Sequence, residues 1–230
     1  MFFVALASAA VGVSAHAAPS APAAPAAAPA VAANAQGLVL VEKARAGKPL
    51  WATLDTADGK IVIELETAAA PASTAAFVGY ATGGLVWQKG KLPSNAPLYD
   101  GTLFHRVIPG FAIQGGDPTG TGTGTGGPST PDESEIPAQK ALHFTKGTVG
   151  LSHVPDPKAN GSQFFITIGD APWLDGRFTQ IGKVVAGQDV ADAIGATPRG
   201  PNDRPLKDVI LKSMHISDKA PPLPKASKKK

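Results

Sequence analysis

No cysteine occurs among the 230 residues, which excludes disulfides, thiolate metal sites, cysteine nucleophiles and lipid attachment at an N-terminal cysteine. That absence fits an oxidising or a reducing compartment equally well. The five histidines show no zinc-binding spacing, and no Ser-His-Asp set is recognisable, so hydrolase and metalloenzyme readings have no support. A long apolar run is also missing: residues 1–17 are uncharged and apolar, but a membrane-spanning helix needs about 20 such residues. What is abundant is glycine (26) and proline (22), which argues for a turn-rich body with extended ends rather than a helical bundle. The length suits one sizeable domain.

The two ends read differently from the middle. Residues 1–17 finish in Ala15-His16-Ala17, the small-x-small form of a signal-peptidase site, so export to a periplasm or another extracytoplasmic space is expected. The departure is that no Lys or Arg precedes Phe2, leaving the run without a basic n-region. Residues 18–34 are almost wholly Ala and Pro, a semi-rigid spacer outside the fold, and 18–48 as a whole reads as linker and lead-in. The formal charge of +3 belongs to the tail, since residues 1–217 carry 16 basic and 17 acidic side chains. Residues 217–230 are expected to be a solvated, disordered basic end, and no nucleic-acid partner follows from them.

Between these ends lies the domain, 49–216. Alternating apolar and β-branched residues predict eight strands, at 50–56, 60–65, 103–108, 112–115, 148–153, 164–168, 179–185 and 209–216. Asp58-Gly59 predicts a hairpin turn between the first two. Two short helices are predicted at 71–80 and 188–194, each with glycine at its end. Periodicity alone leaves a sandwich and a barrel open. The stretch 85–98 reads as a surface insertion whose Trp87 covers the body, with a recognition loop as the sharper alternative. The Gly-Thr repeat at 119–131 contains Gly122-Thr123-Gly124-Thr125-Gly126-Gly127, which matches GxGxxG by pattern only. No strand and helix flank it, Asp117-Pro118 precedes it and Pro128 follows, so a dinucleotide site is rejected. Asn160-Gly161-Ser162 also spells a glycosylation sequon.

Two blocks carry the chemistry. The first runs from Tyr99 to Gln114 and places His105, Arg106, Phe111 and Gln114 on one strand-turn-strand unit. The second is Asn160-Gly161-Ser162-Gln163-Phe164-Phe165-Ile166, followed by Trp173-Leu174-Asp175-Gly176. Together they resemble the cyclophilins, β-barrel peptidyl-prolyl cis/trans isomerases, over about Pro49 to Ile216, and among these they resemble bacterial exported members. The resemblance implies a mainly β fold, a closed eight-stranded antiparallel β-barrel capped by two short α-helices. It implies an enzyme without a cofactor, acting on Pro-containing polypeptides and binding cyclosporin-like cyclic peptides, and a monomer is expected of a closed barrel.

The resemblance also implies roles. Arg106 is the catalytic donor; Phe111, Phe165 and Leu174 line a proline pocket; Gln114 holds the substrate carbonyl and braces Arg106. His105 and Trp173 stand at the site's edge, Ser152 and His153 at the segment that makes main-chain contacts, and Ile181 at a pocket position. Alternation puts Phe164 on the face opposite Phe165, in the core. The sequence departs from the pattern at Ala112 (usually Met), Phe178 (His or Tyr), Ile181 (Phe) and Ser152-His153 (Ala-Asn), which bears on substrate preference and on cyclosporin. Two other functions compete: a non-catalytic proline-peptide binding module or chaperone, and a scaffold acting through 85–98 and the Lys tail.

Overall fold

Asn34 caps the first element of the fold. Its side-chain oxygen accepts the backbone N–H groups of Gln36 and Gly37 at 3.0 and 3.2 Å, starting α1 (Ala35–Arg45) within the expected lead-in. The structure, a computed structural model, describes residues 31–90, 92–153 and 159–222. The signal-like segment 1–17, most of the Ala/Pro spacer and the last eight residues of the basic tail lie outside them. Helix α1 buries Val41 and Ala44, one turn apart, against the body. It reaches its neighbour through Gly37, where a Cβ would lie 2.6 Å from the backbone nitrogen of Gly84.

The sheet begins with β1 (Trp51–Thr56) and β2 (Lys60–Leu65), antiparallel with Trp51 opposite Glu64 and Asp55 opposite Lys60. Asp58-Gly59 forms the predicted turn between them. Helix α2 (Pro71–Thr82) has proline in its first turn, where no N–H is needed, and ends at Gly83 with φ +69°. The insertion at 85–98 contains a small hairpin of β3 (Trp87–Lys89) and β4 (Leu92–Ser94). Trp87 is buried in the main core and donates its indole N–H to Ala96 O at 2.7 Å. The covering role expected of Trp87 is what the structure has.

The remaining strands are β5 (Thr102–Leu103), β6 (Arg106–Ile108), β7 (Ala112–Gly115), β8 (Thr130–Pro131), β9 (Thr148–His153), β10 (Ala159–Thr167), β11 (Gln180–Ala186) and β12 (Ile210–Ser217). Two more helices join them, α3 (Pro137–Lys140) and α4 (Gln188–Gly195). The strands form one strongly curled ten-stranded sheet in the order β5-β12-β1-β2-β11-β9-β10-β7-β6, with β8 on the edge of β10, and every ladder is antiparallel.

This corrects the expected closed ring of eight. Among the described residues the path has two ends, β5 and β6, and the sheet is a half-barrel. The predicted strand 103–108 breaks at Phe104-His105: Phe104 gives its N–H to Val209 O at 2.9 Å on the β12 side, while Arg106 pairs with Gln114 on the other. One chain segment thus serves two ladders instead of closing one. An isolated bridge between Leu103 and Asp117 spans the seam.

The main core fills the curl. Phe164 sits at its centre with Phe77, Tyr99 and Phe104 edge-on at centroid distances of 5.6, 5.5 and 6.1 Å. A second, smaller apolar cluster of Ala112, Phe144, Phe165, Ala171 and Leu174 lies on the other face of the same strands.

Candidate active site

Strand parity builds the site. Arg106 faces Gln114 and Ile108 faces Ala112 across β6 and β7; Gln114 faces Phe165 across β7 and β10; Phe165 faces Gly150 across β10 and β9. Residues at i and i+2 share a face, so Arg106, Ile108, Ala112, Gln114, Phe165 and Ser152 surround one cavity of about 380 Å³. The alternate residues Val107, Ile113, Phe164 and Leu151 all point into the main core and are buried.

Aromatic rings form the apolar wall. Phe144 stacks on Phe165 at 5.7 Å, Phe178 meets Phe165 edge-on at 5.8 Å, and His153 stacks on Phe178 at 4.5 Å. Gly150 makes room for them, because a Cβ there would lie 2.5 Å from Cζ of Phe165. Leu174 closes the cup from a 3₁₀ turn, Pro172–Leu174, that is fixed by the Asp175 carboxylate accepting Phe144 N–H at 2.8 Å. Phe111 and Trp173 pack together at 5.6 Å on the rim.

The polar side is a relay. Gln114 donates its amide to Gln163 Oε1 at 2.8 Å and to Ser152 Oγ at 3.3 Å. Gln163 in turn donates to the carbonyls of Gly122 and Gly124 at 3.0 and 2.8 Å. The Gly-Thr loop is thereby tied to the site, and its amides are occupied: Asp117 accepts the N–H groups of Thr119, Gly122 and Gly124 at 2.7, 2.6 and 3.0 Å. These amides are used internally, a ground against a phosphate site that adds to the flanking sequence on which the GxGxxG match was rejected. Burial works to raise the Asp117 pKa, but the hydrogen bonds from Thr119, Gly124 and Gly122 together hold it below the ordinary carboxylate value.

Of the ten residues singled out from sequence, Arg106, Phe111, Gln114, Ser152, His153, Phe165 and Leu174 line this one cavity. Trp173 stands at the rim, 56% exposed. His105 does not line it: it is buried beside Arg106 and borders an adjoining polar cavity of about 560 Å³. Burial, assisted by the nearby Arg204 and Arg106 charges, lowers its pKa below the usual histidine value despite Asp117. Ile181 is a correction. Gln180 pairs with Gly150 on the pocket face, which leaves Ile181 on the opposite face, fully buried in the main core. Gln114 does not bond the Arg106 guanidinium either; Asp203 does the pairing, its Oδ2 3.6 Å from Nε. Sequence reading missed Ile108 and Gln163, which alternation within the two blocks could have found. It also missed Asp203, which lies 97 residues after Arg106 and carries no local signal.

The stretch that builds this site is similar to known proteins. The family model described as cyclophilin type peptidyl-prolyl cis-trans isomerase/CLD matches residues 51–216. Peptidyl-prolyl cis-trans isomerase B of Streptomyces anulatus is 45% identical over 172 residues, 73% of this chain and 96% of that protein. Peptidyl-prolyl cis-trans isomerase A of Mycobacterium tuberculosis (strain ATCC 25618 / H37Rv) is 44% identical over 170 residues, 72% of this chain and 91% of that protein. Among solved structures, a cyclophilin type peptidyl-prolyl cis-trans isomerase of Cryptosporidium parvum superposes with a TM-score of 0.63 at 29% identity, covering 75% of this chain and 99% of that one. The same protein in the presence of the dipeptide Ala-Pro gives 0.62 at 30% identity, with 73% and 98% covered.

Proposed function

Given that this chain belongs to the cyclophilin-type peptidyl-prolyl cis-trans isomerases, we propose that it turns X-Pro bonds in exported polypeptides, with Arg106 as the donor at the rotating bond. The isomerase activity is that of the family. Uncatalysed X-Pro rotation takes about 10 to 100 s and can limit folding, so the physiological gain is speed.

The chemistry needs no nucleophile. The barrier of about 18 to 20 kcal/mol is amide resonance, which the twisted transition state has lost. As resonance is lost the prolyl nitrogen becomes pyramidal, and a donor aimed at its lone pair stabilises the twisted form more than the planar one. Arg106 suits this role because it stays charged and offers a rigid planar set of donors. Phe111, Phe165 and Leu174 would grip the pyrrolidine ring and fix one side of the bond, while Gln114 would hold the carbonyl on the other by giving up its longer, 3.3 Å bond to Ser152 Oγ. An acceleration on the order of a millionfold requires about 8 kcal/mol. One charge-assisted hydrogen bond supplies about 1.5 to 3 kcal/mol, so desolvation and held geometry must supply the rest. The observation that carries the reading is the placement of Arg106 on the same sheet face as the apolar cup.

The export part rests on residues 1–17 with Ala15-His16-Ala17, and on the Ala/Pro spacer that would keep the cleavage site clear of the folded domain. We extend the same reading to a monomer that takes cyclosporin-like cyclic peptides in the Phe165 cup.

Refolding of a protein whose slow phase is proline isomerisation tests the whole reading. Acceleration at substoichiometric amounts, from protein recovered extracytoplasmically and starting at Ala18, is the expected result. Help only at stoichiometric amounts would favour the binding module or chaperone, and recovery with residues 1–17 intact in the cytoplasm would refute export.

A further inference from the structure

Gln114 is committed to Gln163 and Ser152, so whatever orients Arg106 lies outside the β6–β7 pair. The Arg106 side chain is 47% exposed, and a long exposed side chain samples many rotamers unless something holds it. A donor that must meet a lone pair gains from being held in place beforehand. Among the described residues, Asp203 is the one carboxylate within ion-pair distance of Arg106.

Its loop carries a mark of purpose. Asn202 and Asp203 both have φ of 59°, two consecutive non-glycine residues in the left-handed region, where a side chain costs backbone energy. The surroundings over-determine that conformation. Gly200 N–H bonds Arg204 O at 2.8 Å, Arg199 bridges Pro205, and the Arg204 guanidinium donates to Gly120 O at 2.6 Å. Arg199 Nε lies 3.1 Å from Oδ1 of Asp203, so the carboxylate is held between two arginines, with Oδ2 left toward Arg106. At 3.6 Å the Arg106 contact is an ion pair rather than a hydrogen bond. It engages the Nε edge of the guanidinium and leaves both Nη groups for a substrate.

We propose that Asp203 is a positioning residue for the isomerase: clamped by Arg199 on a strained loop, it holds the Arg106 guanidinium at the mouth of the proline pocket. The proposal rests on the reading of Arg106 as the donor.

Two variants separate positioning from mere loop structure. Asp203→Asn keeps the shape and tolerates the left-handed backbone, whereas Asp203→Gly relieves the strain, so neither is expected to unfold the loop. By NMR exchange on an X-Pro peptide, each should lower kcat/KM on the order of fivefold, equivalent to about 1 kcal/mol. The loss should fall on kcat, with KM moving by less than about twofold, and melting should be unchanged or, for Asp203→Gly, raised. In an Arg106→Lys background the further loss should vanish, because the two residues act as a unit. Wild-type kcat/KM in both variants, or an equal loss in the Arg106→Lys background, would overturn the positioning role while leaving the Arg106 reading intact. Full activity in Arg106→Ala would remove both.

Discussion

Phe164 and Phe165 are consecutive, chemically identical and both almost wholly buried, yet they belong to different parts of the molecule. Phe164 is the hub of the main core, with three aromatic neighbours edge-on. Phe165 is the floor of a cavity, stacked on Phe144 beneath the rim that holds Arg106. The same split runs through Val107 and Arg106, Ile113 and Gln114, and Leu151 and Ser152. One face of β6, β7, β10 and β9 holds the fold together and the other presents a site. The lesson is that a period of two lets a few strands carry both tasks without a compromise at any single position.

The most forceful way to break that comparison is Phe164→Ala. It should cost about 3 to 5 kcal/mol in denaturant unfolding, while activity per folded molecule stays at the wild-type level. A large loss of activity in the folded fraction would mean that the faces are coupled.

Gly150→Ala acts from the other side. The new Cβ meets the Phe165 and Phe144 rings at 2.5 and 3.0 Å, and overpacking of this kind costs about 1 to 3 kcal/mol. The Phe165 ring has open cavity to move into, so the stability loss should sit at the low end of that range. Peptide KM, read by titration, should rise about tenfold as the ring intrudes on the cup. Unchanged KM would show that the floor does not touch the substrate.

The smallest effect concerns pH and sharpens the boundary between the two cavities. Burial lowers the folded-state pKa of His105 below 6.5, so the unfolded chain binds more protons just beneath that value. Stability is therefore lost as pH falls through 6.5 and levels off below the folded pKa. Asp117, Arg204 and Arg106 are the charges facing the ring, and the Asp117 contribution is lost only in a more acid window, below 3.8. His105→Gln should narrow the difference in unfolding free energy between pH 7.5 and pH 5, about the span of the histidine titration. An unchanged difference would exclude His105 as its source.

Much of this was legible because alternation and motif coincide. The main strands follow from apolar periodicity, though not the short β3, β4 and β8, and the seven cavity residues follow from the two blocks around Arg106 and Phe165 together with the family resemblance, which alone pointed to Ser152 and His153. The failures have physical reasons. Helix α1 carries a run of Leu38 to Val41 with little amphipathic contrast, and what holds it is the close approach of Gly37 to Gly84, a tertiary contact. The closed ring was expected from the family resemblance, and alternation could not correct it, since the strand that changes partners at Phe104-His105 has the same pattern as one that does not. Ile181 was assigned by family position, and its parity in β11 overrides that. Asp203 reaches Arg106 through a loop conformation that its sequence, Pro201-Asn202-Asp203, does not announce.

The central claim is that Arg106 acts on the transition state and not on binding. Exchange spectroscopy of an X-Pro peptide titrated up to saturation, with wild type and Arg106→Ala side by side, reads both quantities together. The account predicts unchanged folding, peptide affinity within about threefold, and exchange slowed about a hundredfold, the loss of one charge-assisted hydrogen bond worth about 2.7 kcal/mol. Exchange at the wild-type rate in the folded variant would contradict it.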